Sequence, residues 1–301
     1  MARFFVAGLI NIETTLAIDN FPLEYSPDNY PFFGVQSTVS GVGLNIAKAL
    51  TTLGNQVDLA SLIGRDENGW LARKTLTEVG INDDLVLSNL SETAQSVILY
   101  EIEGRRQIHT DLKDIQQQAY PIQQAQKAIE ACDLAVICNI NFARPLLAVA
   151  RHAGKPIATD VHALVSLDHD YNQDYMRAAD ILFMSDEKLP EPVEEVARKI
   201  LDRFRTKILV IGMGRKGALL AVREDGFIGR FEAVKTRKVV NSIGAGDALF
   251  SSFLDRYLRS GDPYTAMKIA MVFASYKIGE KGAAQGFLTF DQLDNWAKKV
   301  L

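Results

Sequence analysis

Cysteine is scarce in this chain: Cys132 and Cys138 are the only two among 301 residues. That is too few for a disulfide framework, and the spacing is not that of a zinc site. Both sit beside apolar runs and read as buried free thiols. Histidine is scarce as well, at four residues, and no His/Cys/Asp set has the spacing of metal ligands. Long apolar runs are missing; none approaches the roughly 20 residues that a bilayer-crossing helix needs. Residues 1–5 pass straight into strand-like sequence, with no signal-peptide core or cleavage site. Basic charge is not in excess, since 33 Lys and Arg face 37 Asp and Glu for a formal net charge of −4. A general nucleic-acid binder is usually basic, so that class loses ground. The P-loop pattern G-x-x-x-x-G-K-[ST] and the G-x-S-x-G elbow of serine hydrolases are also absent. A soluble cytoplasmic protein is expected, with neither nucleic acid nor membrane as its partner.

What is present suits one large core. Hydrophobic residues make up 48% and charged residues 23%, outside the range of disordered chains. Strand and helix signals alternate along most of the length. Apolar runs at 4–8, 57–63, 134–138, 156–159, 180–183 and 207–211 read as strands. Residues 44–53, 69–79 and 143–153 read as helices ended by Gly54, Gly80 and Gly154. Continuous apolar strands between amphipathic helices imply an α/β fold, its parallel sheet covered on both faces. Two segments break the rhythm. Residues 21–39 are rich in Pro, Tyr, Phe and Asn without a helical period, and 96–108 alternates as a hairpin turning at Glu103-Gly104. Segments near 12–39 and 93–110 therefore predict a small β lid over the C-terminal edge of the sheet, where open α/β folds bind ligands. An oligomer interface, giving a homodimer through the lid, is the other use for such a layer. With no repeat or linker, residues 1–301 read as a single domain with the lid inserted.

Residues 239–250 carry the chemistry. The pair Val239-Val240 leads into Asn241-Ser242-Ile243-Gly244-Ala245-Gly246-Asp247, and a helix follows with Ala248, Leu249, Phe253, Leu254 and Leu258 on its inner face. Such a turn leaves backbone N–H groups unpaired at a helix N-terminus. The helix dipole adds partial positive charge there, and glycines let a bulky anion approach. Together these predict a phosphate site. Asp247, in the first turn, is placed to take a proton from an attacking hydroxyl while the amides hold a transferring phosphoryl group. An ordinary capped helix is the plainer alternative. Gly212-Met213-Gly214-Arg215-Lys216-Gly217 matches G-x-G-x-x-G after a strand, but 218–222 reads as another strand with a turn at 224–226. The dinucleotide fingerprint requires a helix there, so NAD binding is disfavoured.

The turn 241–247 resembles the D-T-x-G-A-G-D motif of the ribokinase-like (PfkB) carbohydrate kinases. Ser40-Gly41-Val42-Gly43-Leu44-Asn45-Ile46-Ala47, with Gly64-Arg65-Asp66-Glu67-Asn68-Gly69, resembles that family's glycine pair and Asn opening a helix, then G-x-D-x-x-G. Thr93 and the hairpin to Gly104-Arg105-Arg106 resemble its lid strands. The resemblance covers nearly the whole chain in the expected order. It implies a Rossmann-like three-layer α/β/α sandwich with a mainly parallel central sheet and a small β lid. It also implies an ATP-dependent kinase that moves the γ-phosphate to a primary hydroxyl of a furanose-like sugar or nucleoside. Asp247 then matches the catalytic base, and Gly244, Ala245 and Gly246 the anion hole. Gly41, Gly43 and Asn45 match the sugar-binding glycine motif. Asn11 and Glu13 fall where the family has N-x-D on the first strand. Ser185, Lys188, Gly214, Gly217 and Ser242 fall on the nucleotide side, with ATP near 270–277 and Mg²⁺ as its companion.

Four departures qualify what the resemblance implies. Asn241 replaces the motif's Asp at a position that some members link to a monovalent cation such as K⁺, so the change weighs against that cation at Asn241 and Ile243. Ser242 replaces Thr and keeps the hydroxyl. Glu13 replaces Asp, and the extra methylene alters which diol the carboxylate grips. The family's N-x-x-E appears as Ser185-Asp186-Glu187-Lys188, so Asp186 or Glu187 takes over, or ATP and water hold most of the Mg²⁺. Gly41-Val42-Gly43-x-Asn45-Ile46-Ala47 looks most like the pseudouridine-kinase branch, with Leu44 where Arg is usual. These departures motivate a rival, a non-catalytic sugar or nucleotide sensor on the same fold; the intact Gly-Ala-Gly-Asp core argues against it. Arg105-Arg106 is the only basic pair in the lid, which points to an uncharged acceptor. His162, after Asp160 at a strand end, falls at the functional edge of the sheet, while His109 follows the lid hairpin and Asp66 reads as a helix cap.

Overall fold

The computed structural model describes every residue except 102 and 103, so the expected turn at Glu103-Gly104 falls partly outside the described residues. The strand Arg3–Ala7 explains the central sheet: Phe4 and Val6 enter the core on one face, Phe5 and Ala7 the core on the other, all fully buried. It pairs in parallel with Gln56–Gly64 on one side and Leu134–Ile137 on the other. Parallel pairing continues from Gln56–Gly64 to Val86–Leu90, and from Leu134–Ile137 through Ile157–Ala163 and Ile181–Ser185 to Ile208–Gly212. The antiparallel hairpin Ala218–Val222 and Phe227–Phe231 closes that edge. Among the described residues, nine strands make this sheet.

Helices cover both faces. Val42–Thr52, Glu67–Glu78, Ala245–Ser260 and Pro263–Lys277 pack on one through Leu50, Leu76, Phe253 and Met267. Ile122–Ala131, Arg144–His152, Asp170–Ala178 and Val193–Arg203 pack on the other through Ile129, Leu146, Tyr175 and Ile200. The result is a three-layer α/β/α sandwich. None of the described helices is long and apolar enough to cross a membrane.

The segments that broke the sequence rhythm enter one small sheet, joined through Asn11–Ala17. Asn11–Ala17 joins Val35–Ser40 antiparallel and Gln95–Tyr100 in parallel, and Arg106–Asp111 returns antiparallel on Gln95–Tyr100. One expectation is corrected here: Asn11 and Glu13 do not lie on the first strand. That strand ends at Ala7, and residues 8–10 lead out of the central sheet into the second one. The cause is a backbone-on-backbone contact, since a Cβ on Gly43 would sit 2.4 Å from the Gly8 carbonyl carbon. The start of helix Val42–Thr52 thus lies against the strand end and the chain turns away.

Strand alternation then sorts the second sheet into two faces. Asn11, Glu13, Ser96 and Ile98 share one, and Ile98 packs with Ile243 and Ala283 beside the 241–247 turn. Thr14, Val97 and His109 share the other, where Val35 and Val97 are exposed. Strand order reverses between Arg3–Ala7 and Leu134–Ile137, and crevices at such switch points are where open α/β sheets bind ligands.

Candidate active site

Helix Ala245–Ser260 starts from Gly244, whose φ of 75° is left-handed. A Cβ there would also fall 2.7 Å from the Ala283 carbonyl oxygen, so glycine is required twice over. The Ala245 N–H turns back onto the Ser242 carbonyl at 3.2 Å, and the Ala248 N–H onto Gly244 at 3.0 Å. The N–H groups of Gly244, Gly246 and Asp247 have no hydrogen-bond partner among the described residues. The expected anion hole is adjusted accordingly: the amide of Ala245 holds the turn, and that of Asp247 stands beside those of Gly244 and Gly246.

Asp247 closes a line of polar side chains. Its Oδ2 accepts a 2.7 Å hydrogen bond from Asn45 Nδ2. Asn45 Oδ1 lies 3.2 Å from Ser40 Oγ, which is 3.1 Å from Glu13 Oε2. Burial raises the pKa of Glu13, and Asp247 adds to this, while the Ser40 hydroxyl, the Ala283 amide and Lys277 pull it down. Asp247 is raised too, chiefly by burial and also by Asp160, against the Asn45 amide, His162 and Lys277. A carboxylate shifted upward in this way suits a general base working near neutral pH.

Two acceptor atoms beside this line lack donors. Asn11 Nδ2 donates to Ser96 Oγ at 2.9 Å, but Asn11 Oδ1 and Glu13 Oε1 are buried without a partner among the described residues. The two residues are only 4% and 6% exposed. An unsatisfied buried acceptor is costly, and ligand hydroxyls are the donors that would satisfy it. Gly41 and Gly43 shape the backbone around Asn45: the Gly43 N–H is spent on the Leu9 carbonyl at 3.0 Å, and the Gly41 carbonyl accepts the Asn45 N–H at 2.8 Å.

The nucleotide-side candidates are more open. Ser185 and Gly212 end adjacent parallel strands in register. Ser185 Oγ accepts the Glu187 N–H at 3.2 Å, and Lys188 and Gly214 are exposed. Gly217 is buried, and a Cβ there would sit 2.0 Å from the Phe231 carbonyl oxygen, so the hairpin itself demands the glycine. Arg106 crosses from the lid sheet to Ser242 Oγ at 3.1 Å and lies 3.8 Å from the Glu187 carboxylate. Arg105 pairs with buried Glu101. No group of three or more His, Cys, Asp or Glu side chains that could hold a metal occurs among the described residues. With Glu187 turned to Arg106, the donor set suits a Mg²⁺ that keeps its waters and phosphate oxygens and takes at most one carboxylate, that of Asp186.

The expected monovalent cation does not fit. Asn241 Oδ1 accepts the Ile243 N–H at 2.9 Å, Asn241 Nδ2 donates to the Lys281 carbonyl, and the Ile243 carbonyl accepts from Lys277 Nζ. The Asn241 side-chain oxygen and the Ile243 carbonyl are therefore already engaged.

Lys277 and Ser40 are the residues that sequence reasoning passed over. The signal for Lys277 lay in its spacing: Ala266, Ala270 and Phe273 make an apolar stripe, and position 277 continues it with a lysine. Ser40 carried no signal beyond its place before the glycine pair. His162 has a φ of 56°, with its N–H on Asp160 Oδ1 at 2.8 Å, and it is among the groups that pull the Asp247 pKa down. His109 lies on the outward face of the lid sheet. Asp66 caps helix Glu67–Glu78 by accepting the Gly69 N–H at 2.9 Å, and it also accepts from Thr93 N and Oγ1.

The pattern of the pfkB family carbohydrate kinases matches residues 1–289. The chain is 24% identical over 286 residues to an ATP-dependent ribose-1-phosphate kinase from Halopiger xanaduensis, spanning 94% of each. It is 26% identical over 276 residues to the acarbose 7(IV)-phosphotransferase of an Actinoplanes species, spanning 90% of each. The solved structure of a microbiome-derived acarbose kinase superposes with a TM-score of 0.88 at 25% identity, over 99% of both chains.

Proposed function

Because the chain belongs to the pfkB family of carbohydrate kinases, we propose that it transfers the γ-phosphate of ATP to a primary hydroxyl of an uncharged, furanose-like sugar or nucleoside. The line of side chains Glu13, Ser40, Asn45 and Asp247 carries this reading, because it joins the donor-starved oxygens of the lid sheet to the carboxylate at the helix mouth, with the one Ser40 proton serving Glu13 or Asn45 and Asn45 donating to Asp247. Hydroxyls of the acceptor donate to Asn11 Oδ1 and Glu13 Oε1, which orients the ring. Asp247 takes the proton of the remaining hydroxyl as its oxygen bonds to the γ-phosphorus and the bond to ADP breaks. The amides of Gly244, Gly246 and Asp247, at the positive end of the helix, hold the charge of the phosphoryl group in flight. ATP lies toward Ser185, Lys188, Gly214 and Ser242. Asp186 would help hold a Mg²⁺ ion, which when bound would supply charge neutralisation. The lid sheet shields the reaction from water, and its outward face at Val35 and Val97 is where two copies pair. An ATP-consuming reaction of this kind belongs in the cytoplasm.

The lid arginines favour an uncharged acceptor, since Arg105 is held by Glu101 and Arg106 by Ser242 and Glu187. An ADP-release assay over sugars, oligosaccharides such as acarbose, nucleosides including pseudouridine, and ribose 1-phosphate tests the assignment. The expected result is a kcat/KM at least about tenfold higher for an uncharged acceptor than for any phosphorylated one. Preference for ribose 1-phosphate overturns the acceptor class. Nucleotide binding without ADP release on any acceptor favours the sensor.

A further inference from the structure

The fate of the expected cation position points beyond this. Lys277 is the last residue of helix Pro263–Lys277 and is 0% exposed, which for a lysine demands a specific partner. Its Nζ donates to the carbonyl of Ile243, the residue immediately before Gly244. The same carbonyl belongs to the turn whose first free amides face the transferring phosphate. The carboxylates of Asp247, Glu13 and Glu280 favour the ammonium, while burial and the Arg237 charge oppose it. Asn241, which lacks a carboxylate, spends both ends of its amide on Ile243 and Lys281. The pocket therefore supplies a carbonyl and flanking negative charge, as a cation site does, and fills it with a side chain.

We propose that Lys277 is a tethered cation, holding the Ile243 carbonyl and through it the Ile243–Asp247 turn, so that this chain works without any bound monovalent metal ion. The proposal rests on the kinase reading for its effect on rate, but not for its geometry. A lysine ammonium is a compact point charge on a flexible stem. Tethered at Ile243, it is present at any salt composition and loses no freedom of translation when it binds, unlike an ion recruited from solution. Its charge lies behind the helix mouth and adds to the positive end of the helix dipole, where negative charge gathers during phosphoryl transfer. Lys277 is fully buried and acts on the turn through the Ile243 carbonyl, so it is a positioning residue.

The test compares wild type with Lys277→Ala and Lys277→Met in KCl, NaCl and choline chloride at one ionic strength. For the wild type, kcat/KM should agree within about twofold across the three salts. The Lys277→Ala variant, which opens room for an ion, should lose about 10²-fold in kcat in choline and regain much of it, saturably, in KCl. Lys277→Met, equally long but uncharged, should lose activity without rescue. A saturable stimulation of the wild type by K⁺ of about tenfold or more overturns the proposal, as does an undiminished Lys277→Ala in choline.

Two readouts do not depend on turnover. The thermal midpoint of Lys277→Ala should rise in KCl relative to choline while that of the wild type does not, because an ion that binds only the folded state stabilises it. Crystals soaked in Tl⁺ should show anomalous scattering at the Ile243 carbonyl in Lys277→Ala and none there in the wild type; a wild-type peak overturns the proposal. If the variants fail to fold, the wild-type salt series and wild-type scattering still decide. If no acceptor is phosphorylated, the kinase reading fails while the scattering result stands.

Discussion

The two walls of the cleft are built to different standards of order. On the proposed acceptor side, Asn11, Glu13, Ser40 and Asn45 are buried; Asn11 holds Ser96, and Glu13, Ser40 and Asn45 line up toward Asp247. On the nucleotide side, Glu187, Lys188 and Gly214 are exposed, and the glycine run after Ile208–Gly212 serves its own hairpin. In the proposed reaction the contrast fits what each substrate would bring. A neutral hydroxyl carries no charge to steer it, so the protein must fix its position in advance to within a fraction of an ångström. A nucleotide arrives with several charges and a divalent ion, which organise a looser wall around themselves.

The hardest blow to the ordered wall is Asp247→Asn. The amide keeps an oxygen for Asn45 Nδ2 but cannot take a proton. Turnover should fall by about 10³-fold, in the range typical of losing a general base, with ATP affinity kept. Near-wild-type turnover on any good acceptor would remove Asp247 from the mechanism. A smaller effect separates the walls. Glu13→Ala should raise the acceptor KM by about tenfold or more and leave the ATP KM alone, since a buried acceptor atom at the sugar is lost. Lys188→Ala should do the reverse and only by a few-fold, because an exposed charge in water contributes little. If both substitutions moved the same Michaelis constant, the division between the walls would be wrong.

The sequence disclosed the ordered wall better than the arrangement that makes it work. The sandwich was legible because strands such as Arg3–Ala7 are apolar on both faces, and the helix mouth because glycines cluster before Asp247. After the dinucleotide-like pattern at 212–217, Ala218–Val222 continues as a strand, as its run of apolar residues reads. Asn11 and Glu13 were identified but put on the wrong strand, because nothing local announces that Gly8 must meet Gly43 across the fold. Lys277 was visible as a lysine on an apolar stripe, yet its partner at Ile243 lies 34 residues away, and spacing within one helix cannot reveal it. Periodicity reports which face is buried; it does not report what that face meets.

The finest test concerns proton affinity at the ordered wall. Asp247 acts as a base only when ionised, and burial together with Asp160 raises its pKa above the ordinary aspartate value. Activity should therefore fall as pH drops through that raised value, and the acid limb of kcat/KM, which reports the free enzyme, should lie above the ordinary aspartate range. The Asn45 amide donates to the charged form and so holds the pKa down. Asn45→Ala removes that donor without removing the burial, and the acid limb should move further toward neutral pH, by about one unit or less. A shift toward acid instead would mean that water entering the vacated space stabilises the carboxylate better than the amide did. The line Glu13–Ser40–Asn45–Asp247 would then be a scaffold for position alone, with no hold on the proton.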